Sequence, residues 1–250
     1  MTKKKQELFQ GANKKNYFEG WYFKNVNAEL KSVSFIVGIS TVKDDEHAFI
    51  QVLDNVEDKS YYARFLIEDF HWCDNPFSIQ IENNYFSLEK IKMKITDPIE
   101  IEADLTFDHL TPIDVSKFSP NIMGPFAYIP FMQCNHGIMS LRHQINGIIK
   151  LNKKKIKYKN GKGYIEKDYG TSFPKKYLWI ESNHSNNQKD SFFLACAHIP
   201  FLALSFQGLI CILEIDGKQE RFATYNNSRA KIKKIDDTHY CIVIKKQQKN

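Results

Sequence analysis

Apolar and polar positions alternate along most of this chain with the period of two that marks β-strands. IEIEADLTF, Ile99 to Phe107, is the cleanest case. SVSFIVGIS (Ser32–Ser40), HAFIQVL (His47–Leu53), SYYARFLI (Ser60–Ile67), FSIQI and YFSLEKIKMKI precede it, with polar, acidic connections between the first three. GIIKL, KIKYK, KYLWIES, SFFLACAHI, LICILEI and YCIVIKK follow. Turn signals sit at Asn83-Asn84, Asn160-Gly161 and Asp216-Gly217, and ILEI-DG-KQERF reads as a tight hairpin. No stretch carries an amphipathic pattern longer than about three helical turns. So many strands at short spacing predict an all-β barrel or sandwich.

The alternation breaks at residues 108–135, which hold four prolines. Such a segment reads either as a linker between two β halves or as a lid or pocket loop. At 250 residues the chain fits one large β domain or two modules. The expected division is an N-terminal module, 1–125, and a C-terminal module, 126–250, carrying the Glu166-Lys167-Asp168 segment. Tyr17–Tyr22 and Tyr164–Gly170 echo one another, each combining a carboxylate, a glycine and aromatics before a strand.

Composition narrows the function classes. Phe numbers 19 and Tyr 12, which suits strands and would also suit an apolar pocket. The net charge of +6 is mild and spread out, which argues against nucleic acid and gives only a slight attraction to anionic membrane surfaces. Five cysteines, Cys73, Cys134, Cys196, Cys211 and Cys241, form no C-x-x-C pair and point to a reducing compartment. The N-terminus is basic without an apolar run after it, so no signal peptide is expected. The expected location is cytoplasmic, with peripheral membrane contact left open. Sequence signatures of phosphate loops, dinucleotide folds and nucleophile elbows are absent.

Three clusters could carry chemistry. In YFEGWYFK (Tyr17–Lys24) an extended chain puts Glu19, Trp21 and Phe23 on one face. Glu19 is then an edge residue, one half of an ion pair beneath a barrel-closing Trp21, or a buried acid. In GKGYIEKDYGTSFPKKYLWIES (Gly161–Ser182), Tyr164, Glu166 and Asp168 point one way and Ile165, Lys167 and Tyr169 the other. Neighbouring carboxyls resist joint ionisation, so one could keep a proton for general acid work, or lysines could simply pair with both. The third cluster holds Cys134, His136, Arg142 and His143. Its spacing is not that of a zinc site, so no metal is expected. His136 and His143 read as core or pocket histidines, and Arg142 as a partner for an acid of the second cluster.

YFEGWYFK, MGPFAYIPFMQCNHGIMSLRH and GYIEKDYGTSFPKKYLWIESNH together resemble the tocopherol cyclase family, over roughly Tyr17 to His184. Tyr169 stands where that family usually has Trp. The resemblance implies two packed lipocalin-like β modules, a fold shared with carotenoid hydratases and Diels–Alderase-type proteins. It implies a reaction needing no redox cofactor and no metal: an alkene of a prenylated hydroquinone is protonated, and the phenol oxygen captures the tertiary cation. Glu166 or Asp168 would be the proton donor, with Glu19 in reserve. Trp21, Trp179, Tyr164 and Tyr169 would face the cation. Phe23, Phe126, Tyr128 and Phe173 would line an isoprenoid channel. The alternatives are a non-catalytic carrier of lipid or another small hydrophobe, using the same apolar cavity, and a structural β protein whose motifs are only packing.

Overall fold

The computed structural model describes residues 5–129, 132–185, 187, 189–201 and 204–247. Lys3 and Lys4 of the basic N-terminal cluster lie outside these residues. All regular structure among the described residues is strand, apart from three short 3-10 turns. No helix is long and apolar enough to cross a membrane. The chain divides into two compact units that interleave in sequence, rather than at a single cut near residue 125. Unit 1 is Met1–Ile113 with Cys134–Ser172, and unit 2 is Asp114–Gln133 with Phe173–Asn250.

Unit 1 is an eleven-stranded antiparallel sheet. Its strands are β1 (Phe18–Val26), β2 (Val33–Ser40), β3 (His47–Asp54), β4 (Lys59–Phe65), β5 (Phe70–Asp74), β6 (Phe77–Ile81), β7 (Asn84–Ser87), β8 (Lys90–Ile95), β9 (Ile101–Asp108), β10 (Cys134–Leu151) and β11 (Lys154–Gly170). They run in the order β4-β3-β2-β1-β11-β10-β9-β8-β7-β6-β5. The sheet curls back on itself: Trp21 of β1 reaches Phe77 of β6 at 6.0 Å between ring centroids, and Phe35 of β2 reaches Phe86 of β7 at 6.3 Å. Right-handed strand twist favours such coiling, and it lets one face of every strand share a core. Alternation fixes that face. β9 buries Ile101, Ala103, Leu105 and Phe107 and exposes the residues between them.

The hairpin β10–β11 inserts beside β1 and joins the two halves of the sheet. This is why residues beyond the proline-rich segment belong to unit 1. Asn160-Gly161, expected as a turn, lies inside β11 at a bulge: Ile145 pairs with Gly161, but Gly147 pairs with Tyr158. The actual turn is Asn152-Lys153, both with positive φ, 46° and 68°. A bulge uses the same αL-tolerant residues as a turn, so local chemistry does not separate the two. At Asp216-Gly217 the expected tight hairpin is present, with φ of 50° and 77°.

Residues 5–11 pack onto the core of unit 1. Phe9 is buried between Trp72, at 4.5 Å, and Phe70, at 5.2 Å. The Trp21 indole N–H donates to the Glu7 carbonyl at 2.9 Å.

Unit 2 has a four-stranded antiparallel sheet of β12 (Tyr177–Ser182), β13 (Ser191–Phe201), β14 (Leu204–Ile215) and β15 (Lys218–Ala223). A two-stranded hairpin, β16 (Ser228–Lys234) and β17 (Tyr240–Lys246), follows. Leu194, Leu209 and Cys211 centre a small core onto which Ala230, Ile242 and Ile244 of the hairpin pack. All five cysteines are free thiols.

Candidate active site

The two echoing motifs are cross-strand partners in one sheet. In the β1·β11 register Glu19 opposes Tyr169, Gly20 opposes Asp168, Trp21 opposes Lys167 and Tyr22 opposes Glu166. Directly opposed residues share a face. The motifs therefore build two polar clusters, one on each side of the same sheet.

On the core side, Glu19 and Lys167 are both fully buried and joined at 2.8 Å. The Glu19 carboxylate also accepts from the Tyr17 hydroxyl at 2.7 Å and the Gln10 amide at 2.9 Å. Lys167 donates to the Leu8 carbonyl at 2.7 Å and sits 5.0 Å from the Trp21 ring and 4.8 Å from the Tyr169 ring. Burial pulls the Lys167 ammonium below its ordinary value, and Glu19 opposes that pull. Each charge is satisfied by its partner and by backbone, as burial demands. Of the readings open for Glu19, this is the structural ion pair. Trp21, Tyr169 and Phe23 belong to this face: Phe23 packs on Phe86 at 5.6 Å and Phe107 at 6.3 Å. They therefore point away from Glu166 and Asp168, because strand alternation sends odd and even positions of β1 and β11 apart.

On the other side, β10 brings His136 opposite Asp168 and Ile138 opposite Glu166. The His136 ring lies between the two carboxylates. Its Nδ1 is 2.7 Å from Asp168 Oδ1, and its Nε2 is 3.3 Å from Glu166 Oε2. The Tyr164 hydroxyl donates to Glu166 Oε2 at 2.5 Å. Tyr164 is fully buried and Glu166 nearly so, while the Asp168 side chain keeps 25% of its exposure. Burial alone would lower the His136 pKa. The Asp168 and Glu166 carboxylates outweigh it and raise the ring to about 10. The cluster thus stores its proton on an imidazolium. Cys134, 3.9 Å from Asp168, has its thiol pushed up by burial and by that carboxylate, and stays protonated.

Tyr22 and Tyr164 meet edge to face at 6.4 Å on this same side, giving the acid cluster an aromatic border. Gly38, beside Gly20, is required by a close approach: a Cβ there would lie 2.1 Å from the Glu19 carbonyl oxygen. The ligand atoms of His136, Glu166 and Asp168 lie within 4.8 Å of one another, so the set could also hold a divalent cation. Spacing along the chain gave no sign of this, since β10 and β11 come together only through the hairpin.

The remaining candidates separate. His143 is buried on β10, 4.7 Å from the Phe107 ring and 3.2 Å from Ser140 Oγ. Its ring lies over Gly163, where a Cβ would come within 2.1 Å of Nε2. Burial drops its pKa to about 3, so it is a neutral core histidine. Arg142 is half-buried on β10, and its carbonyl accepts from Ser140 Oγ and from the Thr111 amide. Phe126, Tyr128, Phe173 and Trp179 belong to unit 2. There Phe126 packs on Tyr225 at 5.9 Å, Trp179 meets Phe193 at 6.5 Å, and Tyr128 and Phe173 are exposed. What sequence reasoning missed is the pairing of His136 with both acids. The available signal was His-x-Ile in a strand able to pair with Glu-x-Asp.

Comparison with known proteins bears on the family likeness and the fold. Residues 114–233 match the family model described as tocopherol cyclase-like, and this span contains His136, Glu166 and Asp168. A search of curated proteins gives no match. Among solved structures, the chain is similar to one described as a candidate AttH from Nitrosomonas europaea. The TM-score is 0.55 at 12% identity, covering 85% of this chain and 70% of that one. It is also similar to kievitone hydratase from Nectria haematococca. There the TM-score is 0.51 at 9% identity, covering 85% of this chain and 65% of that one. These likenesses bear on the fold, which is all-β and lipocalin-like.

Proposed function

We propose that this chain, whose residues 114–233 match the tocopherol cyclase-like family model, is an acid catalyst of isoprenoid chemistry. The substrate class is a prenylated hydroquinone or a related isoprenoid with an electron-rich alkene. The observation that carries this reading is the His136 ring held between Asp168 and Glu166.

Asp168 is the more exposed of the two acids and would deliver the proton to the alkene carbon. That proton comes from the His136 imidazolium, whose Nδ1 hands it to Asp168 across 2.7 Å as the transfer proceeds. Glu166, fixed by Tyr164, holds the ring in place and offsets its charge when protonated. Protonation of a trisubstituted alkene leaves a tertiary cation. A phenol oxygen of the same molecule closes a ring by attacking it and then loses its proton to the Asp168 carboxylate, which returns it to His136. The cycle is redox-neutral and returns the proton it spends. Water as the nucleophile would give hydration instead, the reaction in the name of the Nectria neighbour.

The test is turnover of a prenylated hydroquinone in D2O, followed by mass spectrometry. The expected product carries deuterium at the protonated carbon. Asp168→Asn and His136→Gln should each cut the rate about 10²–10⁴-fold while leaving substrate binding largely intact. Stoichiometric binding of the hydrophobe without product, in wild type and variants alike, would make the protein a carrier and remove the catalytic reading.

A further inference from the structure

We propose that the turn at Val115–Ser119 of unit 2 is an interfacial anchor that docks the protein on an anionic lipid bilayer. Ser116 and Ser119 exchange backbone hydrogen bonds at 3.0 and 3.1 Å, and the Ser119 amide also donates to Ser116 Oγ at 3.2 Å. Lys117 and Phe118 are thereby held at the tip. Phe118 is 78% exposed and Val115 57%. The exposed Tyr128 donates its hydroxyl to the Lys117 carbonyl at 2.7 Å, which stands its ring beside the turn.

The base of the turn is built, not loose. Arg221 donates through Nη1 to Ser119 Oγ at 2.5 Å and to the Asn121 carbonyl at 3.2 Å, and through Nη2 to the Asp114 carbonyl at 2.5 Å. The Asp114 amide donates to Gln219 Oε1 at 3.0 Å. A guanidinium spanning these three acceptors and the Tyr225 hydroxyl, at 3.2 Å, preorganises an apolar tip that gains nothing from water. Exposed apolar groups presented in this way mark a contact surface.

Charge identifies the partner. Unit 2 has 13 basic and 8 acidic side chains, against 22 and 21 in unit 1, so unit 2 holds nearly all of the net +6. On the hairpin β16–β17, Arg229 and Lys245 oppose each other in register, with Lys231 and Lys233 on the same face. Like charges in that arrangement cost stability. None of the four makes an ion pair among the described residues. An anionic bilayer offers both halves of what is missing: an apolar layer for Phe118 and Val115, and a negative headgroup plane for the lysines. A nucleic acid would answer the charge and leave Val115 in water.

The probe is co-sedimentation with phosphatidylcholine vesicles, with and without phosphatidylglycerol. Wild type should pellet with the anionic vesicles and be released by high salt. Phe118→Asp, at an exposed site that does not threaten folding, should weaken binding about tenfold or more. Phe118→Trp should shift its emission to the blue on the same vesicles. Failure of wild type to bind, or equal binding by Phe118→Asp, would overturn the anchor. Equal binding abolished by salt would mark the basic hairpin as a general polyanion site instead. Docking needs no chemistry at His136, so binding and turnover fail separately.

Discussion

Two histidines nine-tenths buried or more differ in protonation because of what surrounds them. His136 has two carboxylates and keeps its proton; His143 has Phe107, Ser140 and Gly163 and does not. The signs follow by linkage. His136 has a folded pKa above its unfolded value of about 6.5. Its contribution to stability is complete below that value and is lost as pH rises toward about 10. His143, with a folded pKa of about 3, contributes above pH 6.5 and loses that contribution as pH falls toward 3. His143→Phe should therefore flatten the acid limb of a Tm-against-pH curve, an effect on the order of a few kcal/mol, and leave the alkaline limb intact. Unchanged acid lability would mean that the ring is not the neutral core group described. The histidine assignments show how far sequence alone reaches. Both were legible only as core or pocket histidines, because the acids that set His136 apart lie about thirty residues away on another strand.

At the scale of strands, alternation made the faces legible. Glu19 with Trp21 and Phe23, and Glu166 with Asp168 and Tyr164, fall where a period of two puts them. What alternation could not show was which strand lies beside which. The β1·β11 pairing turns two separate motifs into one structure and assigns Glu19 to Lys167 instead of to the acid cluster. The same pairing explains why Trp21 and Tyr169 are packing groups. Removing one partner of a buried pair strands the other charge. Lys167→Met should lower stability by about 3–5 kcal/mol in urea unfolding, and Lys167→Met with Glu19→Gln should recover part of the loss. A double variant no better than the single one would show that Glu19 is accommodated without its lysine.

Across the whole molecule, the all-β class was legible from the strand periodicity, and the likeness to the tocopherol cyclase family from motifs between Tyr17 and His184; the family model matches residues 114–233. The unit boundaries were less legible. A chain that leaves unit 1 at Ile113 and returns at Cys134 gives no local signal beyond a proline-rich stretch. Charge separates the units as well, since the basic surplus belongs to unit 2 and the His136 cluster with its two acids to unit 1. Fold and chemistry meet at one question, whether His136 in the intact chain stays an imidazolium across neutral pH. Nitrogen-15 NMR of the imidazole, titrated in the folded protein, answers it without any substrate. The predicted result is a ring that keeps its proton until about pH 10 in wild type and titrates far lower when Asp168→Asn and Glu166→Gln are combined. A wild-type ring titrating near the ordinary value of about 6.5, unmoved by those substitutions, would contradict it.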